Sequence, residues 1–166
     1  MRFYGTFHYQ GKMEHINQFV ASAERLLQDN SNPYSHTMIV FGINNFSDII
    51  TNYGFAAGEE LAGYVKSVLK SYLQEPNLFC HYQAGSFAMF LEDYKDIDLA
   101  LLVIQITEEI TRYHKDYNLK LSFGVCKASP SASTFYCLYR RAMYAKSSVN
   151  TDAFQLLADY SEVVRL

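Results

Sequence analysis

Three acidic residues, Asp48, Glu59 and Glu60, lie within a short stretch and are the first candidates for chemistry. Carboxylates that a fold brings together bind a divalent cation or transfer protons. For Asp48 and Glu60 the simpler interpretation is solvent exposure on a helix. Glu59 has a structural alternative of its own, since an acid at a helix start is stabilised by the positive end of the helix dipole. Gly54 and Gly58 are in turn better explained as turn and helix-start glycines than as a phosphate cradle.

The residue types that most often build zinc sites or nucleophiles are not spaced for either role. The histidines form no i, i+4 pair, and the cysteines form no C-x-x-C pair. We therefore expect the histidines at the surface or hydrogen-bonded in the core, and we expect no disulfide framework. These residues are His8, His15, His36, His81, His114, Cys80, Cys126 and Cys137.

Composition limits the class of protein. The chain has 166 residues, 49% hydrophobic and 19% charged, which suits a single domain over residues 1–166 with its own core. A net charge of −3 with Arg140-Arg141 as the one basic doublet argues against nucleic-acid binding. No apolar run reaches the ~18 residues that a membrane span needs. The sequence predicts a cytoplasmic domain, either alone or as the cytosolic part of a larger, membrane-anchored protein, that makes no membrane contact itself.

Hydrophobic periodicity predicts the elements that must position these residues. Strands and helices alternate, and a hairpin with the link Gln83-Ala84-Gly85-Ser86 interrupts the alternation. This order favours a mixed, largely antiparallel sheet with helices on its faces. The predicted helices cover 12–28, 44–52, 57–75, 97–113 and the stretch from a cap at Ser131 or Ser133 to 146, with a further helix start in 161–166. The predicted strands cover 37–43, 78–82, 87–91, 119–125 and 154–157.

Six segments, in order, are similar to the motifs of the GGDEF family, the diguanylate cyclase domains of bacterial signalling. The resemblance covers nearly the whole chain and implies a three-layer α/β palm with a five-stranded, mostly antiparallel sheet. The most specific segment is Tyr53-Gly54-Phe55-Ala56-Ala57-Gly58-Glu59-Glu60, which resembles Tyr-Gly-His-x-x-Gly-Asp-Glu. The others are the opening segment 5–14, Phe41 to Phe46, the hairpin Gln83 to Phe87, Ser122 to Val125, and Ala142 to Lys146.

The chain departs from the family at its catalytic positions. Members of the family hold two metal ions with an aspartate that ends the first strand and an acid in the hairpin, which align with Gly42 and Gly85. A second catalytic acid of the hairpin aligns with Ser86. Phosphoryl transfer needs metal to offset phosphate charge, and Mg²⁺ prefers carboxylates. The resemblance therefore implies no catalytic residue, no metal site and lost Mg²⁺ binding. The altered signature positions are Gly42, Asn44, Gln83, Ala84, Gly85, Ser86 and Phe87.

The nucleotide-binding positions are also altered. The guanine-reading pair of the family aligns with Ile50 and Glu59, and of these only Glu59 can hydrogen-bond a base. The positions left for residual nucleotide binding are Gly58, Glu59 and Lys146. Ile50 and Phe55 introduce apolar bulk and predict a partly filled pocket. A phosphate-contacting lysine aligns with Ser47, a downstream arginine aligns with Asn150, and the feedback site is replaced by Gln74-Glu75-Pro76-Asn77.

The leading hypothesis is a catalytically inactive GGDEF domain that regulates or docks in cyclic-di-GMP signalling. The resemblance implies a linked EAL phosphodiesterase or sensor domain, with residues 160–166 as a linker helix, and it is compatible with a homodimer. A second hypothesis is a sensor that binds a purine nucleotide of the GTP type weakly without cyclising it. The least favoured is an active cyclase that holds metal through Asp48 or Glu60.

Overall fold

The structure is a computed structural model that describes residues 10–29, 31–32, 34–151 and 155–164. Outside this range lie residues 5–9 of the opening motif, 152–154 of the last predicted strand and 165–166 of the predicted linker. The helices are α1 Gln10–Leu27, α2 Phe46–Tyr53, α3 Phe55–Tyr72, α4 Asp96–Thr111, α5 Phe135–Ser147 and α6 Tyr160–Val163. The strands are β1 His36–Ile43, β2 Leu78–Gln83, β3 Ser86–Glu92, β4 Leu121–Lys127 and β5 Leu157–Asp159.

The five strands form one mixed sheet in the order β2-β3-β1-β4-β5. β1 lies in the centre and pairs antiparallel with β3 and β4, while β5 joins β4 in parallel. Every residue of β1 is buried, as its continuous run of apolar and β-branched residues predicts. The predicted five-stranded, mostly antiparallel sheet between helices is confirmed.

Two hydrophobic cores lie on the two faces of the sheet. Side chains alternate along β1, so Ile39 and Phe41 face the core formed with α3 and α4, while Met38 and Val40 face the core formed with α1 and α5. Phe41 stacks on Phe123, with ring centroids 4.7 Å apart, and on Phe87 at 5.1 Å. The domain thus has three layers, and no helix in its described part is long and apolar enough to cross a bilayer.

Several predicted boundaries are wrong for local reasons. The N-cap of α5 is Thr134 rather than Ser131 or Ser133, since Thr134 Oγ1 accepts from the Cys137 backbone N–H at 3.2 Å. Helix α3 begins at Phe55 because Gly54, with φ of 94°, reverses the chain in a single residue after α2. Glu59 is therefore one turn into α3, and the predicted stabilisation at the helix start does not apply.

The last strand, β5, is at Leu157–Asp159 rather than 154–157. Its position follows from parallel pairing with Phe123, Gly124 and Val125 of β4, a long-range contact that local periodicity does not contain.

Helix α5 approaches strand β4 closely at Gly124. A Cβ placed on Gly124 would lie 2.0 Å from the Ala142 carbonyl oxygen and 2.4 Å from the Lys146 backbone nitrogen. Backbone atoms cannot move aside as a flexible side chain can. Only glycine at this position lets the last turns of α5 rest directly on the sheet.

We expect Gly124→Ala to destabilise the domain by about 3 kcal/mol or more, or to prevent folding, because the added methyl overlaps the α5 backbone. Urea unfolding measures the change. Gly63→Ala is the matched control, because a Cβ on this α3 glycine meets nothing within 4 Å. That control should stabilise by about 0.5–1 kcal/mol through helix propensity. Equal effects of the two substitutions would contradict the close contact.

Candidate functional site

The end of β1 lies beside the turn of the β2–β3 hairpin. Gly42 is in register with Ser86 of β3 on one side and Ser122 of β4 on the other. The backbone N–H of Ile43 donates to the Gly85 carbonyl at 2.9 Å, which closes the strand end onto the hairpin. The site predicted from the altered signature positions is therefore assembled by the fold, and we call the space beside Gly42 and Gly85 the cleft.

The hairpin turn is held by its own polar contacts. Ala84 adopts a positive φ of 37°, and His81 Nε2 donates to the Ala84 carbonyl at 2.5 Å. His81 is buried and stacks on Phe87 with ring centroids 4.6 Å apart. His81 is thus a core histidine with a structural role, as its isolated spacing predicts. The conformation that favours glycine is at Ala84 rather than at Gly85.

Lys146 extends from the last turn of α5 into the cleft. A Cβ placed on Gly42 would lie 3.0 Å from Lys146 Cε and 3.1 Å from Lys146 Nζ, and 3.5 Å from the Gly85 carbonyl oxygen. Burial lowers the pKa of the Lys146 ammonium, and no described carboxylate forms an ion pair with it. The cleft therefore contains a positive charge beside Gly42.

Gly85 is a close-packing glycine. A Cβ at this position would lie 2.7 Å from both Cβ and Cγ of Phe46, the first residue of α2. A carboxylate side chain at residue 85 therefore requires Phe46 to move. Sequence reasoning missed this role of Phe46, although its place at the end of the Phe41–Phe46 motif was the available signal.

The same side of α2 packs against α3 at Gly58, one of the positions predicted for residual nucleotide binding. A Cβ on Gly58 would lie 2.8 Å from Ile50 Cγ1 and 3.3 Å from Phe46 Cζ. Ile50 thus packs its half-buried side chain against Gly58. Phe55 does not fill the pocket, since 57% of its surface is exposed. Phe55 begins a helix directly after Gly54, and this start directs its side chain to solvent.

Asn44 and Asn45 connect the end of β1 to the loop before β4. Asn44 Nδ2 donates to Ser122 Oγ at 2.8 Å, and the Asn44 backbone N–H donates to the Lys120 carbonyl at 2.6 Å. Asn45 Oδ1 accepts a hydrogen bond from the Lys120 backbone N–H at 3.1 Å, and Asn45 Nδ2 donates to the Tyr117 carbonyl at 3.0 Å. These amides tie two segments together, which gives the altered signature position Asn44 a structural function.

The remaining carboxylates do not form a metal site with one another. Asp48, Glu59 and Glu60 are all exposed, on two different helices. Among the described residues no group of three or more His, Cys, Asp or Glu side chains is placed to hold a metal ion.

The cleft itself does not fit Mg²⁺ either. Serines and a carbonyl already engaged by Ile43 line it, and the Lys146 ammonium repels a cation, whereas Mg²⁺ requires oxygen ligands with charge.

The fold and the cleft define a class: a three-layer palm whose central strand ends beside a β-hairpin turn. Comparison with known proteins identifies the family. The family model described as diguanylate cyclase, GGDEF domain, matches residues 14–150. The chain belongs to the GGDEF family. No curated protein sequence matches the chain.

Solved structures share this fold. An EAL/GGDEF domain protein from M. capsulatus superposes with a TM-score of 0.74 at 17% identity, covering 93% of this chain and 99% of that one. The active GGEEF domain of a diguanylate cyclase from Vibrio cholerae gives 0.69 at 19% identity, covering 89% and 94%. The GGDEF domain of DgcB from Caulobacter crescentus, in complex with c-di-GMP, gives 0.68 at 18% identity, covering 89% and 87%.

We expect Lys146→Met to be more stable than the wild type at neutral pH, with an advantage that shrinks as pH rises. The pKa of Lys146 is lowered in the folded state, so the unfolded chain binds the proton more tightly. At pH values below the lowered pKa, the charged Lys146 therefore reduces the free energy of unfolding. This loss of stability disappears as the pH approaches the ordinary pKa of lysine. Urea unfolding of both proteins from neutral pH upward measures the difference.

The comparison between the two proteins isolates Lys146 from other groups. Burial raises the pKa of Tyr82 and Tyr139, so both destabilise the folded state at high pH, equally in wild type and variant. A stability difference that stays constant with pH would contradict a lowered pKa of Lys146 in the folded state.

We expect Gly42→Asp to pair with Lys146 instead of creating a metal site, because the new carboxylate would stand beside the ammonium. The pKa of Lys146, lowered in the wild type, should rise in this variant. Nuclear magnetic resonance of isotope-labelled lysine measures it. Gly42→Ala adds the same Cβ without charge and should leave the pKa low. Mg²⁺-dependent shifts in Gly42→Asp would show that metal displaces the lysine.

Proposed function

We propose that this chain is a non-catalytic GGDEF domain that acts as a regulatory or docking module in cyclic-di-GMP signalling. One observation carries the proposal: Gly42 and Gly85, the two positions that align with the metal-binding acids of the family, have no side chain, and the Lys146 ammonium lies beside Gly42. The membership of the family supports the signalling context.

Electrostatics argue against catalysis in this cleft. Transfer of a phosphoryl or nucleotidyl group requires cations that neutralise charge on the phosphates and activate the attacking hydroxyl. None of the described residues that border Gly42 and Gly85 supplies a carboxylate ligand for such a cation. A single ammonium can attract a phosphate, but it accepts no proton from a hydroxyl while it is charged. The chain's own residues therefore support binding of an anion better than cyclisation.

A docking role is supported by the preserved fold. The family's layers and strand order are intact although the cleft has lost its acids and gained Phe46 and Ile50 as filling. A fold of this kind offers stable surfaces to linked domains. The similar EAL/GGDEF protein from M. capsulatus makes a linked EAL domain a reasonable partner class, with helix α6 near the connection.

Incubation of the domain with GTP and either Mg²⁺ or Mn²⁺ should yield no cyclic-di-GMP, because no carboxylate holds a metal in the cleft. Chromatography of the nucleotides measures the product. The active GGEEF domain from Vibrio cholerae serves as the positive control in the same assay. Product that accumulates with time and enzyme concentration would refute the non-catalytic function.

The second candidate, a nucleotide sensor, is favoured by the charge of Lys146. Calorimetry with GTP, GDP, ATP and cyclic-di-GMP separates the two functions: heat that disappears in Lys146→Met supports the sensor, and no heat with any ligand leaves the docking module. The active-cyclase hypothesis needs Asp48 or Glu60 to bind metal. A metal titration that gives the same result for wild type and Asp48→Ala excludes the version that depends on Asp48.

A further inference from the structure

Five of the nine large hydrophobic side chains that are exposed in the described part of the chain lie on two helices, α4 and α5. These helices belong to different layers: α4 packs on the sheet face of Ile39 and Phe41, and α5 packs on the face of Met38 and Val40. The two exposed surfaces therefore point away from each other and cannot cover each other within one molecule.

The first surface is a stripe along α4 formed by Ile97, Leu101 and Ile104, which we call the α4 stripe. These side chains are 69%, 51% and 46% exposed. Their i, i+4, i+7 spacing places them on one side of the helix, opposite the buried side chains of the same helix. The exposed acids Asp98 and Glu108 flank the stripe, and the exposed cations Lys95 and Arg112 lie at the two ends of α4. Helix α4 is thus apolar on two sides, which is typical of a helix that has a partner on each.

The second surface is a groove between α5 and α6, about 490 Å³ in volume, which we call the α5 groove. Tyr136, Arg140 and Tyr144 follow one another at i, i+4, i+8 along α5, and Tyr136 and Tyr144 are 52% and 57% exposed. Tyr160 and Val164 complete the opposite wall. The groove is lined mainly by aromatic surface and opens to solvent.

Two arginines give the α5 groove a positive charge. The guanidinium of Arg140 lies over the Tyr136 ring at 5.4 Å, and that of Arg141 lies over the Tyr160 ring at 4.9 Å. Among the described residues neither arginine forms an ion pair. A guanidinium that stacks by its face keeps N–H donors at its edge, where they can bind carboxylates. Tyrosine and arginine together are the residues most enriched at the centres of protein interfaces.

We propose that the α4 stripe of one copy docks into the α5 groove of a second copy, so that the domains associate head to tail. The two surfaces match in length, since the stripe spans about 10 Å and the aromatic row about 12 Å at 1.5 Å per residue. They match in charge, since Asp98 and Glu108 flank the stripe and Arg140 and Arg141 line the groove. They match in chemistry, because aliphatic side chains fill aromatic grooves.

Charge repulsion opposes the pairing of two α5 grooves with each other and of two α4 stripes with each other. Two α5 grooves facing each other would bring four arginines together, and two α4 stripes would bring acids together. The pairing of stripe with groove is the one that joins opposite charges. A contact of this kind leaves one stripe and one groove free at the ends of each assembly, so further copies can add. The stripe has three exposed apolar side chains, whereas a stable interface uses ~20–30 residues per partner, so association is weak and depends on concentration.

Sedimentation velocity and light scattering of the 166-residue chain over a wide concentration range test the proposal. The mass should rise above the 19.1 kDa of the monomer as concentration increases. Leu101→Lys removes the stripe and Arg140→Glu removes the groove charge, so each variant alone should remain monomeric. Circular dichroism checks that both variants fold, which their exposed positions favour.

The decisive sample is an equal mixture of the two variants. Leu101→Lys retains a groove and Arg140→Glu retains a stripe, so the mixture should form a one-to-one dimer that grows no further. Ser67→Lys and Arg25→Glu make the same charge changes on exposed parts of α3 and α1 and should associate like the wild type. Any of three results would overturn the proposal: a monomeric wild type at the highest concentration, one variant that associates alone, or a mixture that stays monomeric.

Discussion

The seating of α5 on the sheet at Gly124 is the contact on which the described site depends. With only a hydrogen on Gly124, the carbonyl of Ala142 and the backbone nitrogen of Lys146 approach β4 more closely than any side chain allows. This proximity sets the height of the last turn of α5 above the sheet. The height in turn lets the Lys146 side chain reach Gly42, on the neighbouring strand β1.

The chemistry of the cleft follows from the charge that this contact delivers. The Lys146 ammonium beside Gly42 places one positive charge in the cleft, which can attract a phosphate but does not replace the divalent cations of a phosphate-transferring site. Mg²⁺ could replace this ammonium only if carboxylates in the cleft supplied negative charge to bind it. In addition, Phe46 occupies the space into which a side chain at Gly85 would extend. The loss of acids, the inward lysine and the packed phenylalanine are thus mutually consistent features of one site.

The sequence predicts the layers and the site location well, and the filling of the site less well. Helices and strands were predictable because their hydrophobic periods are long and regular, as in α4 and β1. The last strand, β5, could not be predicted in the same way, because its position is set by pairing with β4 and not by its own hydrophobic pattern. Ile50 could be predicted as filling because it replaces a polar residue of the family. Phe46 could not, since its effect depends on distance to Gly85 across two elements.

Helix α5 contributes to both the cleft and the α5 groove, so one helix connects the inner site with the outside of the domain. Its inner side carries Lys146 into the cleft, and its outer side carries Arg140 and Tyr144 in the groove. Because Gly124 leaves no space between helix and sheet, α5 cannot sink further when the outer groove is occupied.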